Sequence, residues 1–167
     1  MKKVNLSIEK KSYGVRESIR TLRTNLQFCG DDKRVILVTS CVPREGKSSV
    51  SVALAESIAD MGKSVILVSG PEAPNPTELL ESERFTGMLE SMKNVYDYII
   101  IDCPPLGLVI DAAIIGGQSD GAIIVVEAGK TKYRLVQNVK DQLENSGVSV
   151  LGVVLNKVER KNQKGYY

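Results

Sequence analysis

Residues 39–50 read Thr-Ser-Cys-Val-Pro-Arg-Glu-Gly-Lys-Ser-Ser-Val, and they stand between an apolar run and an amphipathic pattern. A strand, a tight loop with Gly46-Lys47-Ser48 and a helix, in that order, make the arrangement of a phosphate-binding P-loop. Backbone N–H groups and the dipole at the start of a helix hold phosphate oxygens, while the ammonium of Lys47 reaches the outer phosphates. Because the hydroxyl of Ser48 can coordinate Mg²⁺, the stretch predicts a nucleoside triphosphate site.

The loop departs from the commonest P-loop pattern at one position. That pattern has a glycine five residues before Gly46, where this chain has Cys41. A polar turn that happens to contain Gly-Lys-Ser is therefore the alternative. The strand before the loop and the helix after it favour the P-loop, since a turn alone requires neither.

Length and composition limit what the chain can be. Its 167 residues are one domain's worth, and a hydrophobic content of 43% can form a single core. A net charge of +2 gives no field that would attract nucleic acid, and the absence of histidine excludes mechanisms that need an imidazole. We expect a cytoplasmic location, because no apolar run is long enough to span a membrane, no signal peptide is evident, and the three cysteines lack metal-ligand spacing.

The remaining patterns predict a layered α/β domain. Apolar runs predict strands at 34–38, 64–68, 96–102, 121–126 and 148–155, and helical spacing predicts helices at 12–28, 50–59, 83–93 and 131–145. This order indicates a P-loop NTPase-like three-layer sandwich, with a mostly parallel sheet and helices on both faces. We expect a domain over 1–158, which includes the helix at about 12–28, and a flexible tail over 159–167 that carries tyrosines.

Two polar residues follow predicted strands at the sheet edge where ligands collect in open α/β folds. Asp102 ends an apolar strand, and a carboxylate there, beside a P-loop, can hold Mg²⁺ or its water shell at the Walker B position. The alternative is an Asp that ends a strand before two prolines. Asn156 closes the last strand, where it either faces a nucleotide base or serves only to end the strand.

Several motifs taken together carry a resemblance. They are Glu17-x-x-Arg20-x-x-Arg23, the loop at 39–49, Ile101-Asp-x-Pro-Pro105, Val153-Val-Leu-Asn-Lys157 and the final Tyr166-Tyr167. Their order resembles the bacterial tyrosine autokinases that control capsule and exopolysaccharide synthesis. The likeness spans almost the whole chain and is greatest to the cytoplasmic form, which has no membrane anchor of its own.

The resemblance implies a role for each matching residue. Lys47 and Asp102 would be catalytic, and Ser48 and Asp102 would hold Mg²⁺. The residues that would bind ATP are Arg44, Glu45, Gly46, Lys47, Ser48, Ser49 and Asn156. Glu17, Arg20 and Arg23 would lie at the subunit interface of a homo-oligomeric ring, and a neighbouring subunit would phosphorylate Tyr166 and Tyr167.

The resemblance also implies partners. The cytoplasmic tail of a transmembrane activator of the polysaccharide export machinery would switch the kinase on and recruit it to the inner face of the membrane. Sugar-nucleotide enzymes would be further substrates, and no nucleic acid is expected. Two other interpretations stay open: an ATPase of the partitioning type, and a catalytically impaired nucleotide-binding scaffold of the same family.

Two positions depart from the family pattern. Arg44 stands where the family usually has glycine, so the loop either narrows or needs a different backbone angle. Ser69 follows the second strand where the family has an acidic Asp-x-Asp motif, called Walker A′, which helps to hold Mg²⁺ and to activate the tyrosine. Compared with that family, the sequence reads as if several dozen residues, Walker A′ included, were absent between about Val68 and Pro74. Either the protein lacks them, or the sequence joins two stretches that flank a mobile segment.

Overall fold

The computed structural model describes residues 13–69, 83–106 and 118–159. In chain order, the elements within these ranges are α1 (Tyr13–Phe28), β1 (Val35–Ser40), α2 (Lys47–Ala59), β2 (Val65–Val68), α3 (Glu83–Lys93), β3 (Tyr98–Asp102), β4 (Gly121–Glu127), α4 (Tyr133–Asn145) and β5 (Val150–Asn156). None of the helices in these ranges is both long and apolar enough to cross a bilayer.

The five strands form one sheet in the order β2-β3-β1-β4-β5, and every pairing is parallel. Parallel strands place their carboxyl ends at one edge, which is where the loops after β1, β3 and β5 meet. The register pairs Val38 of β1 with Asp102 of β3. The loop that follows β1 therefore begins beside the carboxylate that ends β3.

The strand β1 is buried on both faces because its side chains alternate between two cores. On one face, Ile36 and Val38 pack in a cluster that includes buried residues of α1 and α2, such as Leu26 and Leu54. On the other face, Val35 and Leu37 lie in a cluster that includes Leu89 of α3 and Val139 and Leu143 of α4. Each large side chain buried here stabilises the fold by about 1.5–3 kcal/mol. The predicted sandwich with helices on both faces is confirmed.

The predicted helix over 131–145 begins two residues late, at Tyr133. The hydroxyl of Thr131 donates a hydrogen bond to the carboxylate of Glu45, and Lys132 has an extended backbone. A contact with the P-loop therefore replaces the first helical turn. Tyr166 and Tyr167, on the predicted tail, lie outside the described residues.

Candidate nucleotide-binding site

The loop between β1 and α2 ends in a glycine whose backbone angle and surroundings disfavour any side chain. Gly46 has a φ of 90°, in the left-handed region that favours glycine. A Cβ on Gly46 would lie 2.2 Å from Nδ2 of Asn156. Gly46 is the N-cap of α2, and no side chain caps this end of the helix. The first N–H groups of α2 therefore remain available to an anion.

The polar side chains at the start of α2 face away from the core. Ser48 and Ser49 are exposed, and Lys47 is half-buried. No hydrogen bond or ion pair joins the ammonium of Lys47 to another residue in the described ranges. Its positive charge acts to lower the pKa of Cys103, the residue after Asp102, against the larger effect of burial. The site therefore brings together a cation, a hydroxyl and free helix N–H groups.

The carboxylate of Asp102 is only partly satisfied by the protein. Its Oδ1 is buried and has no hydrogen-bond partner among the residues described, and its Oδ2 accepts one long bond, 3.4 Å, from the hydroxyl of Ser69. A buried carboxylate oxygen without a partner costs free energy unless a cation or water meets it. Because Mg²⁺ takes oxygen ligands and keeps several waters, Asp102 and the exposed hydroxyl of Ser48 fit such an ion.

Ser69 follows β2 at the position where the tyrosine autokinases that the sequence resembles have the Asp-x-Asp motif, Walker A′. The pairing of Val68 with Ile101 sets Ser69 beside Asp102 at the edge of the sheet. A hydroxyl there donates to Asp102 but adds no negative charge. Across the described ranges, no group of three or more acidic, cysteine or histidine side chains could hold a metal. Asp102 is thus not part of such a group within this part of the chain.

Glu45 supports the loop from inside. Its side chain is buried, and Oε2 accepts the N–H groups of Cys41 at 2.6 Å and Val42 at 2.8 Å. Its Oε1 accepts the N–H of Glu127 at 3.1 Å and the hydroxyl of Thr131. Since the protein's own donors occupy this carboxylate, Glu45 can reach a phosphate only through its backbone. Sequence reasoning did not predict these hydrogen bonds, because no local sequence pattern indicates them.

A second set of contacts, made by Lys157, joins the loop to the end of β5. Lys157 donates from Nζ to the backbone oxygen of Arg44 at 2.7 Å and pairs with Glu127 at 2.8 Å. Arg44 and Lys157 have φ values of 69° and 55°, and the left-handed region costs a residue with a Cβ about 1–2 kcal/mol. The backbone at Arg44 therefore adopts the angle that explains a glycine there in the family.

Asn156 lies directly against the loop. Its Nδ2 donates to the backbone oxygen of Glu45 at 2.8 Å, next to Gly46. The carboxamide thereby fixes the loop relative to β5, a role that the sequence did not indicate. A contact between Asn156 and a nucleotide base stays a prediction.

The structure divides the three charged residues of α1. Arg20 and Glu17 form an exposed ion pair, with 2.7 Å between Nη1 and Oε1. Arg23 is half-buried, and its Nη1 donates to the backbone oxygen of Ser57 at 2.8 Å and to its hydroxyl at 3.2 Å. Two residues of the motif thus lie on the surface, and the third ties α1 to α2. Their role at a subunit interface stays a prediction.

The three cysteines differ in accessibility. Burial, with a smaller contribution from the charge of Glu45, raises the pKa of Cys41 to about 11. Burial, aided by the charge of Asp102, raises that of Cys103 to about 12. Cys29 is exposed. Because the thiolate is the reactive form, we expect iodoacetamide at pH 8 to modify Cys29 alone in the native protein.

Mass spectrometry of the labelled protein checks this expectation. The variant Cys29→Ser is the control and should take up no label until it is unfolded in urea. Labelling of Cys41 or Cys103 in the folded protein would contradict the buried positions described for both thiols.

The parallel sheet, the loop between β1 and α2 and the carboxylate after β3 define a P-loop nucleotide-binding protein. Comparison with known proteins supports this class and narrows it to a family. The AAA domain family matches residues 75–149. Tyrosine-protein kinase CpsD of Streptococcus agalactiae serotype III (strain NEM316) is 36% identical over 190 aligned positions, which cover 85% of this chain and 82% of that protein. Tyrosine-protein kinase YwqD of Bacillus subtilis (strain 168) is 29% identical, with 90% and 85% covered. The chain therefore belongs to the family of bacterial tyrosine-protein kinases.

Solved structures show the same relationship. The kinase domain of the Escherichia coli tyrosine kinase ETK superposes with a TM-score of 0.82 at 26% identity, covering 91% of this chain and 79% of that one. The cell-division protein MinD of Aquifex aeolicus has a TM-score of 0.61 at 22% identity, which shows a shared fold only. The fold is thus common to both groups, and the sequence identity places this chain among the kinases.

The alignment with CpsD also bears on the missing segment. Since 85% of 167 residues is about 142, about 48 of the 190 aligned positions stand opposite no residue of this chain. That number agrees in size with the several dozen residues predicted to be missing after Val68.

Proposed function

We propose that this protein binds Mg²⁺ and ATP at the loop between β1 and α2 and phosphorylates tyrosine. The observation that carries the proposal is the buried Oδ1 of Asp102 beside a P-loop, which has no hydrogen-bond partner among the residues that the structure describes. The same edge of the sheet offers the ammonium of Lys47 and the hydroxyl of Ser48. The names of the relatives, which are tyrosine-protein kinases, support the choice of reaction.

Different residues of the chain would have different roles in phosphoryl transfer. Backbone N–H groups at 46–49 would hold the phosphates, and Lys47 would neutralise charge on the outer phosphoryl group. Ser48 and Asp102 would hold Mg²⁺, which supplies further charge neutralisation when bound. The phenol oxygen of the substrate attacks the γ-phosphorus, and the bond to the oxygen that bridges the β- and γ-phosphates breaks to release ADP. Positioning and charge neutralisation supply most of the catalysis, so no imidazole is needed.

The substrate that we propose is the tyrosine tail of a neighbouring copy. The tail would present Tyr166 and Tyr167 in trans to the active site of the next subunit of a ring, with Glu17, Arg20 and Arg23 at the interface. Phosphorylation adds about two negative charges to each tyrosine, which would loosen an interface rich in charges. A transmembrane activator of polysaccharide export would bring the kinase to the inner membrane face, and phosphorylation would regulate capsular and exopolysaccharide synthesis.

We expect the chain to bind nucleotide well and to phosphorylate poorly. Ser69 offers no carboxylate to help to hold Mg²⁺ or to accept the proton of the phenol. Incubation with radiolabelled ATP and Mg²⁺ should therefore give a weak phosphotyrosine signal. That signal should disappear in Lys47→Ala and in the double variant Tyr166→Phe/Tyr167→Phe.

The controls separate the possible failures. A strong signal from the unmodified chain would reject the expected impairment, and a signal that persists in Lys47→Ala would reject this P-loop as the donor site. A signal that persists in the double variant would reject the tail as the acceptor.

A second candidate function is a nucleotide-binding scaffold without kinase activity. Ser69 beside Asp102 favours it, because the charge that the family places there is absent. This candidate predicts the same affinity for Mg²⁺ and ATP as the first, but no phosphotyrosine even after prolonged incubation.

A further inference from the structure

A cavity of about 500 Å³ lies beside the tip of the P-loop, between it and the start of α4. Its walls include residues of the loop tip, of the turn after β4 and of the first turn of α4. Neither Gly46, Lys47, Ser48, Asp102 nor Asn156 is among the residues that line it. Apart from Arg44, none of the lining residues is among those proposed to bind the nucleotide, although Glu127, Thr131 and Lys157 help to hold the P-loop.

The lining of the cavity is strongly cationic. It contains Arg44, Lys130, Lys132 and Lys157 against the single acidic residue Glu127. Glu127 pairs with Lys130 at 2.5 Å and with Lys157 at 2.8 Å, and these two ammonium groups lower its pKa. Within the ranges that the structure describes, Arg44 and Lys132 form no ion pair. Two exposed cations thus remain to attract an anion.

Apart from Thr131, whose hydroxyl bonds Glu45, the rest of the lining is apolar. Val42 and Pro43 come from the loop tip, and Leu135 comes from the first turn of α4. Ligand sites commonly combine such apolar walls with a few charged groups that fix the ligand's orientation, and their volumes run from about 300 to 1,000 Å³. An aromatic ring against the apolar wall, with a phosphate near Arg44 and Lys132, satisfies both parts of this lining.

The tail of the chain, residues 159–167, has a net negative charge that suits the cationic cavity only after phosphorylation. Residues 159–167 include Arg160, Lys161 and Lys164 against Glu159, so this cationic cavity repels the unmodified tail. Phosphates on Tyr166 and Tyr167 add about −1.5 to −2 charges each, which reverses the sign of the tail's net charge. Charge complementarity therefore distinguishes the product from the substrate.

We propose that this cavity binds phosphotyrosine from the phosphorylated tail of another copy of the chain. The identity of the ligand rests on the proposed tail phosphorylation, while the site itself depends only on the lining. Binding there would hold the product beside the nucleotide, so product inhibition is the expected kinetic consequence.

A synthetic peptide tests the proposal without any kinase reaction. The probe is residues 159–167 with a fluorophore at its amino end and phosphate on both tyrosines, measured by anisotropy. We expect it to bind at least about tenfold more tightly than the unphosphorylated peptide, and Lys132→Ala to weaken it about tenfold, as the loss of one charge-assisted hydrogen bond predicts. Lys140→Ala, on the same helix but outside the lining, is the matched control and should leave the affinity unchanged.

The outcomes are separable from those for kinase activity. Equal binding of the two peptides, or equal losses in Lys132→Ala and Lys140→Ala, would overturn the proposal, because the attraction would then be a general surface effect. Loss of peptide binding in Lys47→Ala would overturn it as well, since the peptide would then occupy the nucleotide site. Retained binding in Lys47→Ala supports a separate site, whether or not the chain phosphorylates itself.

Discussion

Replacing Lys47 with alanine is expected to weaken the binding of Mg²⁺ and ATP by roughly 100-fold, with little change in the free energy of unfolding. The ammonium makes no hydrogen bond or ion pair within the described part of the chain, so its removal breaks no intramolecular contact there. A hydrogen bond between charged groups contributes about 1.5–3 kcal/mol, and 1.4 kcal/mol corresponds to a tenfold change in affinity. The expected loss lies within the range that these figures allow.

Fluorescence titration with a labelled ATP analogue measures this loss. The matched control is Lys63→Ala, which removes an exposed lysine beyond the other end of α2 and should bind as the unmodified protein does. An affinity for Lys47→Ala within twofold of the control would show that the nucleotide does not depend on this ammonium.

Replacing Glu45 with alanine is expected to destabilise the fold by about 3–5 kcal/mol. The change leaves the N–H groups of Cys41 and Val42 and the hydroxyl of Thr131 without their acceptor, while the N–H of Glu127 keeps only its longer bond to the hydroxyl oxygen of Thr131, at 3.2 Å. Each buried donor that loses its partner costs about 1–3 kcal/mol, and water entering the space recovers part of that cost. For a domain of this size the midpoint of thermal unfolding should fall by about 10 °C.

Urea unfolding followed by circular dichroism measures how much the carboxylate of Glu45 stabilises the fold. Thr131→Val is the graded control: it removes one donor of four and should cost about 1 kcal/mol. A cost for Glu45→Ala no larger than that of Thr131→Val would mean that this carboxylate does not support the loop.

Local patterns predicted the loop and the sheet, because both depend on neighbours in the sequence. An apolar run, Gly-Lys-Ser and an amphipathic stretch determine the strand, loop and helix within about 25 residues. Asp102 was predicted for the same reason, since it ends a buried strand. The contacts that fix the loop could not be predicted in this way. Glu45 bonds Thr131, and Lys157 bonds Arg44, across 86 and 113 residues.

The motif on α1 shows a different limit of sequence reasoning. Residues spaced three apart on a helix lie about 60° apart around its axis, so Glu17, Arg20 and Arg23 spread over about 120° rather than sharing one direction. Arg23 reaches the margin where α1 packs against α2, and there it bonds Ser57. The spacing alone did not indicate which of the three would turn inwards.

In the proposed site, the chain holds a triphosphate through a metal that Asp102 helps to position. Isothermal titration of the folded protein with ATP, in Mg²⁺ and again in EDTA, tests it most directly, alongside Asp102→Asn. We expect Mg²⁺ to tighten binding at least about tenfold in the unmodified protein, and most of this gain to be lost in Asp102→Asn. Binding of equal strength with and without Mg²⁺, or no binding at all, would contradict this expectation.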